Sequence, residues 1–234
     1  MQGERPDWVE VGERGVVGDR RFGVLDTATG RVLSAKEEPR LLLARARTVD
    51  GAVEVELPTG AAGDDASLSA WLGREVVLRE ADGATQATYQ SRVDALDDDS
   101  PAVEWHGPEG SFHDDAPVHL LTTAALRAMA HVAPEQQWVE RRFRPNLLVE
   151  VDGDGFVEDG WVGHRLRVDE VELEVFKATT RCSMIGRPQP DGVVGDRDVI
   201  RAVRDHHGFK LGVHARVVAR GRIEPGARVE RVEG

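Results

Sequence analysis

Hydrophobic and polar residues alternate over much of this chain with the period of two that is typical of a half-buried β-strand. The clearest alternation is at residues 165–168 and 171–176, which are separated by a short polar break and predict a hairpin. Residues 40–49 and 52–57 predict a second hairpin, since Asp50-Gly51 between them is a strong turn signal. The apolar segment 146–151 predicts a buried strand, whereas residues 81–110 show no clear periodicity.

Helical patterns are few and short. The apolar run "VHLLTTAALRAMAHVAP" predicts a strand that leads into a helix, with Thr122 or Thr123 as its N-cap. A second helix is predicted through "VIRAVRDHH", with Asp196 or Asp198 as its N-cap and Gly208 at its end. A third, shorter helix is predicted at residues 69–73. The sequence therefore predicts a mainly β chain of barrel-like architecture with a few short helices.

Composition narrows the class of protein. The chain of 234 residues is 40% hydrophobic and 31% charged, as expected of a globular protein, and it has no apolar run near the ~20 residues of a membrane helix. A net charge of -12 argues against binding to nucleic acid or to a membrane surface. The single cysteine excludes an internal disulfide, and the N-terminus lacks a signal-peptide pattern. We therefore expect a cytoplasmic protein.

The single cysteine, Cys182, lies in "FKATTRCSMIGRPQPDG", between a strand-like run and a Pro/Gly turn. Three interpretations are open: a small buried hydrophobe, a residue of no consequence, or a reactive metal ligand. The histidines show no spacing with Cys182 that is typical of a zinc site, and His119 in "PVHLLTT" is interpreted as a buried structural histidine. A thiolate is a suitable ligand for a soft transition metal if the rest of the ligands come from a cofactor.

The segment "RRFRPN" precedes a predicted strand and is rich in arginine. For Arg141 and Arg142 we favour a solvated edge. Arg144 and Asn146 alternate around Pro145, which predicts that both side chains face one side of an extended segment and suit an anion and a heterocycle. The Thr122–Thr123 pair is interpreted either as a simple N-cap or as a phosphate site at a helix start.

Six segments, in their order along the chain, resemble the MOSC family, which is named for the C-terminal domain of molybdenum cofactor sulfurase. They are "GVVGDRRFGVLDTATGRVLSAKEEPRLL", "FHDDAPVHLLTTAALRAM", "RRFRPNLLVEV", "FVEDGWVG", "VELEVFKATTRCSMIGRPQPDG" and "GRIEPGARV". The sequence is most similar to two-part members such as the mitochondrial amidoxime-reducing component and its bacterial relatives. The resemblance covers essentially the whole chain.

The resemblance implies a smaller β-rich N-terminal domain at residues 1–95 and a β-barrel MOSC domain at residues 96–234, with the molybdenum cofactor bound between them. It implies that Cys182 ligates molybdenum and that Asp114 handles protons near the metal. The positions that hold the pterin and its phosphate in the family correspond to Arg20, Thr122, Thr123, Arg144, Asn146, Thr180 and Arg181. Family members also begin with a strand that carries a cofactor-binding lysine and serine, so we expect the natural start to lie upstream of Met1.

The activity implied by the resemblance is reduction of small N-hydroxylated or N-oxide compounds. The sequence has neither an iron–sulfur cysteine pattern nor a flavin fingerprint, so electrons are expected from a separate donor protein of the ferredoxin, flavodoxin or cytochrome type. The family is also associated with pyridoxal phosphate. The alternatives are a non-catalytic carrier of the cofactor or of sulfur on Cys182, and a degenerate barrel that binds nothing.

Overall fold

The computed structural model describes residues 1–49, 51–97 and 99–232. The chain divides into two compact units, and each is made of segments that are distant in the sequence. The first unit comprises Met1–Arg5, Gly18–Asp115 and Pro188–Gly192, and the second comprises Pro6–Val17, Ala116–Arg187 and Val193–Gly234.

Strands predominate over helices among the described residues, which confirms the prediction of a mainly β chain with a few short helices. The strands are β1 Val9–Gly12, β2 Gly15–Val16, β3 Phe22–Asp26, β4 Arg45–Val49, β5 Ala52–Glu56, β6 Val76–Glu80, β7 Thr88–Arg92, β8 Ala102–His106, β9 Val118–Thr122, β10 Leu147–Val149, β11 Arg165–Val168, β12 Val171–Thr180, β13 Lys210–Ala219, β14 Gly221–Ile223 and β15 Val229–Val232. The α-helices are α1 Asp65–Leu72, α2 Thr123–Val132 and α3 Asp198–His207. Short 3-10 helices occur at Pro39–Leu43, Glu140–Arg142, Val157–Trp161 and Ser183–Gly186.

The first unit is built from three antiparallel strand pairs, β3–β6, β4–β5 and β7–β8. Its core contains Leu41 and Leu57 packed with Leu68 and Leu72 of α1. Helix α1 begins before the predicted range of residues 69–73, because the Asp64 side chain accepts the backbone N–H of Ser67 and caps an earlier start. The helix supplies the apolar face that a two-stranded pair lacks on its own.

The prediction of a strand over residues 40–49 is wrong for the first half of that range. Pro39–Leu43 is a 3-10 helix, because Pro39 starts it, the Glu38 carboxylate accepts the N–H of Arg40, and Leu41 and Leu42 are buried. Strand β4 begins only at Arg45 and pairs with β5 as predicted. Asp50, at the predicted turn, lies outside the described residues.

Residues 81–110, where no periodicity was found, contain the antiparallel pair β7–β8. Strand β8 is mostly exposed, so its sequence does not alternate between hydrophobic and polar residues. The pair is held to its unit by Tyr89, which is buried, stacks on Trp105 at 5.6 Å and donates its hydroxyl to the Phe112 carbonyl at 2.6 Å.

The second unit is built on a six-stranded sheet in the order β10-β9-β13-β12-β11-β15. Strand β10 is parallel to β9, and the other neighbours are antiparallel, including the predicted hairpin β11–β12. A smaller sheet in the order β14-β1-β2 packs into the same core, which includes Val11, Leu120, Leu166, Leu173 and Val213.

Of four helix and strand predictions in this unit, two are confirmed and two are wrong. Thr122 caps α2 by accepting the N–H of Ala125 at 3.0 Å, and Gly208 ends α3 in the left-handed conformation, as predicted. The N-cap of α3 is Arg197, and Asp198 is already helical. The segment predicted as a buried strand contains the edge strand β10, and Leu148 is 44% exposed there because Leu147 and Val149 on either side of it face the core.

Candidate functional site

Cys182 lies two residues after the end of β12, at the start of the Ser183–Gly186 turn, and it is partly exposed. Arg181 still donates its backbone N–H to the Phe209 carbonyl at 2.7 Å, and the chain leaves the sheet after it, where residues 183–186 form a 3-10 helix. Thr180 is exposed and pairs with Lys210 at the end of the strand. The thiol is therefore on an accessible turn rather than in the core, which argues against the interpretation as a small buried hydrophobe.

The Arg181 side chain is buried and fixed by its own unit. Its Nε donates to the Leu211 carbonyl at 2.8 Å, its Nη1 donates to the Phe143 carbonyl at 3.1 Å, and its Nη2 faces His119 Nε2. A rigid planar fork suits this arrangement, in which several acceptors lie around one guanidinium. Arg181 thus supplies a fixed positive charge next to Cys182 in the sequence.

His119 is buried against this arginine. Because Arg181 can only donate, Nε2 of His119 is the acceptor, so Nδ1 carries the proton and points to the Arg144 carbonyl at 3.4 Å. Burial first, then the positive charge of Arg181, then His214, holds the pKa of His119 well below its usual value. His119 is a neutral structural histidine, as the sequence predicted.

Gly212 on β13 lies under both side chains. A Cβ there would be 2.6 Å from His119 Nε2, 2.6 Å from the Leu120 carbonyl oxygen and 3.2 Å from Arg181 Nη2. The backbone at Gly212 is also left-handed, with φ of 77°. The close packing of Arg181 against the sheet therefore depends on the absence of a side chain at this position.

The prediction that Arg144 and Asn146 share one side of an extended segment is wrong. Arg144 has φ of 54°, because the Glu140–Arg142 helix ends in a turn in which Arg144 donates its N–H to the Glu140 carbonyl. Asn146 instead extends the pairing of β10 with β9: its Oδ1 accepts the N–H of His119 at 2.9 Å, and its own N–H donates to the His119 carbonyl at 2.8 Å. Both residues nevertheless contact His119.

Two of the predicted cofactor-binding arginines, Arg144 in the second unit and Arg20 in the first, have left-handed backbones, with φ of 54° and 51°. A non-glycine residue in this region costs on the order of 1 kcal/mol or more and persists only where the surroundings impose it. Asp169, Asp191 and Phe209 share this conformation, so it shows that the surroundings impose the backbone at both arginines but does not assign them a role.

The predicted threonine pair is engaged within the protein. The Thr122 hydroxyl accepts from Ala125 and donates to the Glu158 carboxylate at 2.6 Å, and the residue has no exposed surface. The Thr123 hydroxyl accepts the Val151 N–H at 3.0 Å. Contact between these hydroxyls and a cofactor stays a prediction. It would require the hydroxyls to give up their present hydrogen bonds within the protein.

Glu158 is a buried acid that no pattern in the sequence singled out. It lies in the 3-10 helix Val157–Trp161 with no exposed surface, and its Oε1 has no hydrogen-bond partner among the described residues. Burial raises the pKa of Glu158, and the hydrogen bonds from Thr122 and from the Gly212 backbone offset this only in part. Its sequence context, "FVEDGW", gives no signal of burial.

Glu158→Gln is expected to become more stable than the wild-type protein as the pH rises. Because the pKa is raised in the folded state, the unfolded carboxyl ionises at a lower pH than the folded one, so its contribution to stability is lost as the pH rises from about 4.5 through the raised pKa. Each pKa unit is worth about 1.4 kcal/mol, and glutamine does not titrate. Urea unfolding at pH 4.5 and pH 8 measures the change, with exposed Glu56→Gln as the control. A difference between variant and wild type that is the same at both pH values would contradict the expectation.

In the first unit, Asp114 lies within a cluster that includes Lys36, which the sequence did not single out. Lys36 Nζ is 3.0 Å from Asp114 Oδ2 and 4.5 Å from the centre of the Trp105 ring, and Trp105 Nε1 donates to the Asp114 carbonyl at 2.9 Å. The Arg20 carbonyl accepts the N–H of Phe112, two residues before Asp114. This unit therefore brings Arg20 and Asp114 close together and adds a lysine, and their contact with a cofactor stays a prediction.

Asp114 is an anion at neutral pH. Partial burial would raise its pKa, but the charges of Lys36 and Arg20 outweigh that effect and hold the pKa well below the usual range of a carboxyl group. In this state Asp114 accepts a proton rather than holding one to donate. The side chain is 47% exposed, so the carboxylate is accessible to solvent.

The donor set limits which metals these residues can hold. Within the described ranges, no three His, Cys, Asp or Glu side chains are grouped as metal ligands. The described residues therefore offer no site made of protein ligands alone, such as structural zinc. A metal that brings most of its ligands in an organic cofactor does fit, since it needs one accessible thiolate, which Cys182 provides. In the part of the chain that the structure describes, no helix is both long and apolar enough to cross a membrane.

Comparison with known proteins gives consistent matches. Residues 108–230 match the MOSC domain family, and residues 1–105 match the MOSC N-terminal beta barrel domain. Molybdenum cofactor sulfurase of Caenorhabditis briggsae is 30% identical over 123 residues, which is 51% of this chain and 16% of that protein. This chain therefore spans about a sixth of the length of that curated relative.

Two solved structures are similar at low identity. The crystal structure of YiiM from Geobacillus stearothermophilus has a TM-score of 0.40 at 15% identity, over 82% of this chain and 72% of that one. YiiM from Escherichia coli has a TM-score of 0.40 at 20% identity, over 66% and 67%. From the family matches over both halves of the sequence, the chain belongs to the MOSC domain family, with a MOSC N-terminal beta barrel domain before the MOSC domain.

Proposed function

We propose that this protein binds the molybdenum cofactor through Cys182 and reduces small N-hydroxylated or N-oxide compounds. The reaction consumes two electrons and two protons: the N–O bond breaks, oxygen leaves as water, and the nitrogen keeps its other substituents. The relative from Caenorhabditis briggsae, a molybdenum cofactor sulfurase, supports the choice of cofactor. When bound, the cofactor would supply a redox-active metal for two-electron chemistry.

The observation that carries the proposal is the placement of Cys182. It is the single cysteine of the chain, it is partly exposed on the turn after β12, and it follows an arginine whose guanidinium is fixed by three neighbours. Arg181 and Arg144 would offer positive charge to the anionic groups of the cofactor. Thr180, exposed at the strand end, would add a hydroxyl.

Protons and electrons would enter by different routes. Asp114, ionised beside Lys36 and partly exposed, would pass protons on from solvent rather than hold one at rest. A chain with one cysteine has no iron–sulfur cluster motif of its own, so electrons would come from a separate donor protein of the ferredoxin, flavodoxin or cytochrome type.

Molybdenum content and activity test this proposal together. The wild-type protein, expressed in a host that makes the cofactor, is expected to carry close to one molybdenum per chain and to reduce benzamidoxime with an artificial electron donor. Cys182→Ser is expected to lose most of the metal and at least about 100-fold of the activity, since serine lacks a soft thiolate. Ser183→Ala, in the same turn, is the matched control and should keep both.

A second candidate function is a carrier that holds the cofactor, or sulfur on Cys182, without turnover. The similarity to a sulfurase favours it. A wild-type protein with bound molybdenum but no reduction above background would support the cofactor carrier, and a mass increase of one sulfur atom that Cys182→Ser lacks would support the sulfur carrier. Protein without molybdenum, activity or a sulfur adduct would contradict both proposals.

A further inference from the structure

Arg142 is completely buried, with 0% of its surface exposed, although the sequence predicted a solvated edge for Arg141 and Arg142. That prediction is wrong for Arg142, because its guanidinium finds backbone acceptors inside the second unit. Nε donates to the Gln137 carbonyl at 2.9 Å, Nη1 donates to the Ile185 carbonyl at 3.0 Å, and Nη2 donates to the Val194 carbonyl at 2.7 Å. Burial lowers the pKa of Arg142, and the charge of Asp196 opposes this.

The three acceptors belong to three separate segments of the chain. Ile185 is in the turn that follows Cys182, Val194 is in the segment before α3, and Gln137 precedes the Glu140–Arg142 helix. Gln137 closes the arrangement, since its Oε1 accepts both from Nη2 of Arg142 at 3.3 Å and from the N–H of Val194 at 3.0 Å. One buried cation therefore ties the Cys182 turn to two other segments.

The same turn is held a second time by the backbone. Asp196 donates its N–H to the Gly186 carbonyl at 2.8 Å, and a Cβ at Gly186 would lie 2.8 Å from the Asp196 carbonyl oxygen. The turn after Cys182 thus packs directly on residues 194–196. Arg142 links the same two segments beside this contact, through the carbonyls of Ile185 and Val194. Without the guanidinium, the carbonyl of Ile185, a buried residue, would lose this donor inside the unit, and the carbonyl of Val194, an exposed residue, would lose its bond to the turn.

We infer that Arg142 is a positioning residue for Cys182: it holds the Ser183–Gly186 turn against residues 194–196 and so fixes the direction of the thiol. The inference rests on the proposed function in that a fixed thiol matters because it binds a metal. Its mechanical part, that Arg142 keeps the turn closed, applies to the metal-free protein as well. Arg142 itself contacts neither substrate nor cofactor in this role.

The single cysteine makes the test direct, because alkylation of metal-free protein by iodoacetamide, followed by intact mass, reports on Cys182 alone. The variants are Arg142→Gln and Arg142→Lys; lysine keeps the charge but cannot donate to three carbonyls at once. The control is Leu166→Ala, a buried core substitution on β11 that also destabilises the unit. Leu166 pairs with Leu173, which precedes Cys182 by nine residues, about 30 Å along an extended strand.

The native labelling rate of Cys182 is expected to rise about tenfold or more in Arg142→Gln, less in Arg142→Lys, and little in Leu166→Ala, compared at urea concentrations that leave equal stability. A tenfold change corresponds to about 1.4 kcal/mol in the closing of the turn. Equal rates in Arg142→Gln and Leu166→Ala would overturn the inference, since Arg142 would then act only through global stability. If Arg142→Gln does not fold, Arg142→Lys against Leu166→Ala decides by the same criterion.

Molybdenum content, measured on the same variants, separates this inference from the proposed function. Metal that falls in the order wild type, Arg142→Lys, Arg142→Gln supports both. A wild-type protein that takes up no molybdenum, together with faster labelling of the Arg142 variants, overturns the metal-binding proposal and leaves the mechanical role of Arg142 intact. Metal that stays at the wild-type level in both variants while labelling accelerates overturns the claim that the fixed thiol serves the metal.

Discussion

Replacing Gly212 by alanine is expected to lower the free energy of unfolding by about 3 kcal/mol, as the sum of backbone strain and overpacking. The new Cβ would lie 2.6 Å from the Leu120 carbonyl oxygen, and that oxygen belongs to the backbone of β9, which cannot move without disturbing the sheet. The contact with His119 at the same distance would push the imidazole away from Arg181. Urea unfolding followed by circular dichroism measures the change.

Gly226→Ala is the matched control for this variant. Gly226 is also left-handed, with φ of 88°, but a Cβ there would have no heavy atom within 4 Å. It should therefore show only the backbone cost of about 1 kcal/mol. If the two variants lose the same unfolding free energy, the close approach of β13 to Arg181 and His119 adds nothing to the cost of a side chain at position 212.

Arg181→Met is expected to have a comparable effect, a loss of about 2–5 kcal/mol of unfolding free energy at pH 8. The buried carbonyls of Leu211 and Phe143 would both lose their donor from Arg181, at a cost of about 1–3 kcal/mol each. Arg216→Met is the control, since that arginine on β13 is largely exposed. Thermal or urea unfolding measures the loss, and an equal effect of the two variants would contradict it.

The same variant changes the pH dependence of stability. The depressed pKa of His119 contributes stability that is present above about pH 6.5 and is lost as the pH falls below it, because the unfolded chain then binds the proton first. The Arg181 charge is the second cause of that depression after burial, so removing it should make the loss between pH 8 and pH 5.5 smaller without abolishing it. If the variant loses more unfolding free energy than the wild type between pH 8 and pH 5.5, the Arg181 charge does not lower the pKa of His119.

Local patterns predicted the parts of the fold that depend on near neighbours in the sequence. The alternation in β11 and β12 records which face of the sheet is buried, and the Thr122 cap and the Gly208 C-terminus depend on backbone groups within a few residues. Strand β8 was not predicted, because a strand that is exposed on both faces has no alternation of hydrophobic and polar residues.

Burial of charge was not predictable in this way. In the sequence, Arg142 looks the same as the partly exposed Arg141, and its acceptors Ile185 and Val194 lie 43 and 52 residues away. Lys36 is 78 residues from Asp114, and Glu158 is 36 residues from Thr122. Only the packed chain shows that these partners meet, so the resemblance supplied residue positions but neither the ionisation of Asp114 nor the internal bonds of Arg181.

The left-handed backbones of Arg20 and Arg144 set the stability of the fold against the proposed cofactor binding. Glycine and asparagine adopt this conformation at little cost, so a search for a higher unfolding temperature would be expected to replace these two arginines, along with Asp169, Asp191 and Phe209. Replacement of either arginine would relieve strain and would also delete a guanidinium on which the proposed cofactor binding depends. Selection for thermostability alone would therefore be expected to give a protein with a higher unfolding temperature that has lost part of its proposed site.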